Sequence, residues 1–200
     1  MTDEAPELRM GASVRRRRRA LELTLAEVAV RSGLSAPFLS QIENDRARPS
    51  MRSLQLIADA LETTAVQLLA ASQPARRVDV VRADADLTLP SAEATDPDAG
   101  PDRARVRPLV RGHHQLHALE FTGRHDGRRE FLHRNDELLY VADGSAELEA
   151  DGETHLLRAG DTLYLSGGVR HRWRALEPGT RVLVVAVADH VEVTTADPQR

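Results

Sequence analysis

Five consecutive arginines, Arg15 to Arg19, are the densest run of charge in the 200-residue chain and could form a phosphate-binding or targeting patch. On a helix, five successive side chains point all round the axis, so some of them must serve structure instead. All 27 basic residues are arginine, with no lysine, and alanine is abundant. That bias reads as GC-rich coding rather than as a binding device, and it discounts the run. With eight histidines in the chain, any single one is unremarkable. No cysteine is present, which excludes a disulfide framework, a thiolate metal site and a thiol nucleophile.

Two hundred residues suffice for two modest domains, each with its own core. The formal net charge of −4 is unevenly spread. Residues 12–73 carry nine arginines against six acidic residues, whereas residues 78–200 carry fifteen against twenty-two. The basic excess lies in the N-terminal part, where nucleic acid would bind. No apolar run approaches the length of a membrane span, and the N-terminus, with Asp3, Glu4 and Glu7, is unlike a secretory signal. A cytoplasmic protein with no membrane partner is expected.

The elements that would position a site are clearest between Leu25 and Asn44. Thr24 followed by Glu27 is a capping box that starts a helix, and Gly33 supplies the left-handed residue that ends it. Ser35 caps a second helix whose first turn tolerates Pro37, because the missing N–H falls among donors without an intrahelical partner. Val28, Ala29, Leu34, Leu39 and Ile42 are the apolar positions, with small Ala29 where two helices cross closely. The stretch is a helix-turn-helix.

Gly33, Ala29, Leu39, Ile42 and the run from Ser40 to Asn44 resemble, in register, the Xre/Cro class of repressor-like DNA-binding domains over residues 12–73. In that family the second helix lies in the major groove with its N-terminal residues on base edges. The resemblance carries that role to Ser35, Ala36, Pro37, Ser40 and Gln41. Gln41 is the foremost candidate for direct readout, since a carboxamide pairs bidentately with adenine. Ala36 and Pro37 can offer only apolar contact. Asn44, Arg46, Arg48 and Arg52 are the candidates for phosphate positioning; Leu25 stands where many relatives carry a polar phosphate contact. The resemblance also implies a structural pair between Arg18, on a first helix from about Ala12 to Leu23, and Glu43.

Pro49 and Ser50 begin a fourth helix with Leu54, Ile57, Ala58 and Leu61 on one stripe, and Thr64 caps a fifth carrying Val66, Leu68 and Leu69. Residues 1–10 read as a disordered lead-in and residues 74–77 as a linker. Beyond them the pattern turns to short β-type runs. Strands are expected over Val78 to Val81, Ala104 to Val110, Gln115 to Phe121, Leu138 to Val141, Ala146 to Ala150, Glu153 to Leu157, Thr162 to Leu165, His171 to Arg174 and Arg181 to Ala188. Pro90 to Asp102 reads as a loop, and Asp151 with Gly152 as a two-residue hairpin turn. Such spacing predicts an all-β barrel or sandwich.

His133 and Glu137, then Gly144, then Arg158, Gly160 and Asp161, then Gly168 and His171 stand in the order of the two cupin motifs. Residues 110–190 resemble that family, which implies a cupin barrel of jelly-roll type. In metal-binding cupins two histidines and a glutamate come from the first motif and a third histidine from the second. Here His133, Glu137 and His171 occupy three of the four positions, and Phe131 stands in place of the first histidine. Two readings compete. Two histidines and one carboxylate, with open positions left over, suffice for non-haem iron(II), so the three residues could hold one divalent ion such as Fe, Mn, Zn or Ni. In the other reading Phe131 lines the pocket of an organic effector that His133, Glu137 and His171 hydrogen-bond. His113, His114, His117, His125 and His155 are expected on the surface or in the core, with His117 the exception to follow because it falls on an expected strand.

The expected chain is therefore an α plus β protein: a five-helix DNA-binding domain over residues 12–73, a linker, and a cupin sensor domain over residues 78–193. This order resembles bacterial transcription regulators whose barrel senses a small molecule and dimerises. The partners implied are a double-stranded operator, an effector and a second copy of the chain, with a tetramer as the alternative; no catalytic residue is assigned. A lesser resemblance, to the hydroxypropylphosphonate epoxidases, gives the competing class: a mononuclear non-haem iron oxygenase whose helical domain is scaffold.

Overall fold

The structure, a computed structural model, describes residues 10–84, 89–90, 104–127, 130–132 and 134–187. Five helices come first: α1 (Met10–Ala20), α2 (Leu25–Ser32), α3 (Ala36–Glu43), α4 (Met51–Ala60) and α5 (Ala65–Ser72). Thr24, Ser35, Ser50 and Thr64 each accept the N–H three residues on, and Thr24 with Glu27 and Thr64 with Gln67 complete capping boxes. Each such cap is worth about 1 kcal/mol. Gly33 ends α2 at φ 70°, as the turn requires. Helix α1 stops three residues short of the expected Leu23. There Glu22 turns left-handed at φ 56° and the Leu23 N–H folds back on the Arg18 carbonyl.

Val14, Val28, Leu39, Ile42, Leu54, Ile57, Ala58, Leu61 and Leu68 form one buried core, with Leu25, Ala29, Leu34 and Phe38 packed on it. The arginine run braces this core from outside. Arg17 donates to the Leu61 and Glu62 carbonyls, Arg16 to the Ala71 carbonyl and Arg15 to the Glu43 carbonyl, all at helix ends where carbonyls lack intrahelical partners. A guanidinium there also meets the negative end of the helix dipole.

The rest is β: β1 (Leu89–Pro90), β2 (Arg105–Pro108), β3 (Leu116–Thr122), β4 (Glu137–Asp143), β5 (Ser145–Ala150), β6 (Glu153–Arg158), β7 (Thr162–Leu165), β8 (His171–Ala175) and β9 (Arg181–Val187). They form two antiparallel sheets, ordered β1-β2-β3-β9-β4-β7 and β6-β5-β8. Leu139, Val141, Leu165 and Val182 of the first sheet pack against Leu148, Leu157 and Trp173 of the second, so the core lies between the layers of a barrel. Asp151 and Gly152, at φ 51° and 80°, make the expected tight hairpin. Val78 to Val81 is not a strand. Val78 and Val80 are exposed, and the segment is held by Arg111, which grips Asp79 with two nitrogens, rather than by a neighbouring strand. Of the expected lead-in over residues 1–10, Met10 already begins α1, and of the expected loop over residues 90–102, Pro90 ends β1 and pairs with Arg105; the rest of both lies outside the described residues.

Helix and barrel meet at α5. Val66 packs on Val106 and Leu119, and the Gly112 N–H donates to the Ala70 carbonyl at 2.8 Å. A second contact runs from Arg134 to Glu62 at 3.7 Å, and the same carboxylate meets Arg31 of α2 at 3.4 Å.

Candidate functional site

Helix α3 turns Leu39 and Ile42 inward and leaves Pro37, Gln41 and Asn44 exposed, a row at i, i+4 and i+7. Ser35 is also exposed, and Ala36 and Ser40 are half-buried at the edges of the row. The barrel, docked on α5, covers none of this row. Arg46, Arg48 and Arg52 follow the helix and are exposed. The Arg46 and Ala47 N–H groups bond the Gln41 carbonyl, which fastens the loop bearing the first of these arginines. Asn44 is more constrained than its exposure suggests: its amide donates to the Ser40 carbonyl and its Oδ1 accepts from Arg15 at 2.5 Å. Leu25 packs on the helical core rather than facing outward as a contact would.

Glu43 anchors this surface from behind. It is buried, and Arg18 grips it with two nitrogens at 2.6 and 2.8 Å, as the resemblance implied. The same guanidinium reaches the Leu23 carbonyl, so one side chain ties α1, the turn before α2 and the end of α3 together. The Arg18 pKa is raised, chiefly by the hydrogen bond to Glu43.

In the barrel, β4 carries Glu137 and β8 carries His171, and both are buried. The His171 Nε2 lies 3.3 Å from the Glu137 Oε2, while its Nδ1 lies 3.1 Å from the Val169 carbonyl oxygen. A neutral imidazole donates from one nitrogen only, yet here both face oxygen acceptors. The arrangement is complete when a positive charge joins the ring, as a second proton or as a cation shared by Nε2 and the carboxylate. Burial pushes the His171 pKa down, but the bonds to Glu137 and Val169 outweigh it and the pKa stands above the ordinary value. The donor set therefore fits a divalent ion in kind, with Nδ1 held by a carbonyl and Nε2 facing the Glu137 carboxylate. Among the described residues no three such donors cluster, and His133 lies outside them.

Phe131 joins the pair through the backbone. It exchanges two hydrogen bonds with His171, of 2.7 and 3.1 Å, and its ring stacks on the imidazole at 5.7 Å and 22°. An aromatic ring at this position shields one face of His171, where a histidine would supply a further ligand. Gly167 supports the loop opposite: a Cβ there would fall 2.0 Å from the Arg134 carbonyl oxygen, so only glycine allows the approach. Strand register adds one residue that sequence patterning barely marks. His117, Ala186, Glu137 and Leu165 form a single row across β3, β9, β4 and β7, so His117 shares the inner face with Glu137. His125 belongs to the core, edge-on to Phe121 and 4.8 Å from Trp173. The contact from Arg134 to Glu62 had no signal in the sequence.

Comparison with known families and structures agrees with this anatomy. A helix-turn-helix model matches residues 14–68, and a cupin-domain model matches residues 120–187. No curated protein matches the chain. Among solved structures, the chain is similar to an HTH_3 family transcriptional regulator from Vibrio cholerae, at 19% identity and a TM-score of 0.53, covering 92% of this chain and 97% of that one. It is also similar to hydroxypropylphosphonic acid epoxidase from S. wedmorenis, at 18% identity and a TM-score of 0.45, covering 92% and 99%. A third likeness is KdgF from Halomonas sp., at 25% identity and a TM-score of 0.39, covering 48% and 84%. No helix among the described residues is long and apolar enough to cross a membrane.

Proposed function

The chain joins a helix-turn-helix domain to a cupin domain, and from that premise we propose a homodimeric, sequence-specific DNA-binding transcription regulator whose barrel binds a small-molecule effector. The observation that carries this reading is the exposed row Pro37, Gln41 and Asn44 on α3, left uncovered by the barrel. A helical domain kept only as scaffold has no need of that row. One such domain covers one half-site, so specific binding calls for two copies. The similar Vibrio cholerae chain is named a transcriptional regulator, in keeping with this reading.

Glu137, His171, Phe131 and, by resemblance, His133 form the effector pocket. A ligand there changes DNA binding only through its differential affinity for the DNA-competent arrangement. The path available is short: Arg134, within the first cupin motif, meets Glu62 at the end of α4, and Glu62 meets Arg31 of α2.

A second reading keeps the same pocket and makes the chain a mononuclear iron oxygenase. The imidazole and carboxylate facing each other in the barrel favour it. When bound, the ion would supply Lewis-acid and redox chemistry, with Glu137, His171 and His133 as the residues to hold it. Footprinting on the DNA upstream of the chain's own gene, at physiological salt, separates the two. Two protected half-sites about one helical turn apart are expected of the regulator; protection no better than on random DNA would favour the enzyme.

A further inference from the structure

Arg15, Arg16 and Arg19 of α1 line one side of an open groove of about 490 Å³, and Glu43, Asn44 and Asp45, at the end of α3, line the other. Both carboxylates are already engaged. Glu43 accepts from Arg18 and Arg15, and Asp45 accepts the Gly11 N–H at 2.8 Å. With Arg18 behind it, the groove has more guanidinium than carboxylate. Burial pulls the Arg16 pKa below the ordinary guanidinium value, and Arg16 donates to the Ala71 carbonyl.

The groove is continuous with the exposed row of α3, since Asn44 is both the end of that row and a wall of the groove. Eight residues make α3 about 12 Å long, close to the width of the major groove. With the N-terminus of α3 at the base edges, the sugar-phosphate backbone that borders the major groove passes its C-terminal end.

We propose that this groove seats a phosphate of the DNA backbone, held by Arg15 and Arg19. The arginine run then divides by helix geometry. Arg16, Arg17 and Arg18 tie helix ends and Glu43; Arg19 is left for the DNA, and Arg15, four residues before it on the same face, both bonds Glu43 and Asn44 and lines the groove. This inference rests on the DNA-binding reading above.

Arg19→Ala and Arg19→Glu are the test variants, because Arg19 is exposed and lies outside the Glu43 cluster. The full-length chain is titrated over a salt series onto its own upstream DNA and onto a random duplex of equal length. Loss of one phosphate contact lowers the magnitude of the log-affinity slope against log salt by about 0.9 per protomer. That loss is expected on both duplexes alike and to a greater extent in Arg19→Glu, while Arg19→Lys retains the wild-type slope and all three melt with wild type. Wild-type slopes in Arg19→Ala and Arg19→Glu would overturn the proposal. A loss confined to the upstream DNA would also overturn it, making Arg19 a base reader. Wild-type chain that binds neither duplex would instead overturn the DNA-binding reading itself.

Discussion

Glu43, at the end of the recognition helix, and Glu137, at the start of β4, are both buried carboxylates, and their partners differ in kind. Glu43 meets guanidiniums, which stay charged at every pH a protein meets. Glu137 meets an imidazole, whose charge changes near neutrality. The first arrangement is a permanent clamp that frees the outer face of α3 for contact. The second can gain or lose a proton, a metal or a ligand. A buried pair of the first kind suits a domain that must keep one shape, and the second suits a domain that must respond.

The comparison breaks most visibly at Glu43. Glu43→Gln leaves the half-buried Arg18 guanidinium without its carboxylate, and loss of a fully buried partner, about 3–5 kcal/mol, is the upper bound expected. Urea unfolding followed by helix signal is expected to show that loss; a change under about 1 kcal/mol would mean that the clamp does not hold the domain. Gln41→Ala, on the outer face of the same helix, should leave stability alone. It should weaken binding to the upstream DNA by about 1–3 kcal/mol while sparing random DNA, and equal losses on both would remove its base-reading role.

The smallest effect belongs to the barrel pair. Because the folded-state pKa of His171 is raised, its contribution to stability is full below the unfolded value of about 6.5 and is lost as pH rises through the folded pKa. Metal-free wild type should therefore lose more stability between pH 6 and pH 8.5 than Glu137→Gln does, by about 1.4 kcal/mol for each unit of pKa difference. Parallel pH profiles for the two proteins would show that Glu137 does not hold the proton on His171.

The helical domain was largely legible because its signals are local. Thr24 with Glu27, Gly33 and the stripe from Leu54 to Leu61 each act within one or two turns, and each does in the structure what its spacing predicts. The strands after Gln115 were legible for a related reason: alternating side chains and glycine-bearing turns fix where each begins and ends. Val78 to Val81 misled because alternation describes a strand's faces but does not supply a neighbour to pair with. In the candidate site, Glu137 and His171 come together in the structure as their motif order implied. The row that adds His117 depends on the register of three strands, which no single segment encodes.

From residues alone, the sequence determined the caps, the helix-turn-helix, the basic excess of the N-terminal half and the absence of thiol chemistry. It also determined the cupin motif order, for motifs and caps are short-range patterns. Only the tertiary structure decided which arginines of the run brace the fold and which reach solvent, that Glu62 links Arg134 to Arg31, and that both nitrogens of His171 face oxygen. These depend on side chains from segments tens of residues apart arriving at one point. Their meeting is set by how the helices and sheets pack, not by any local propensity.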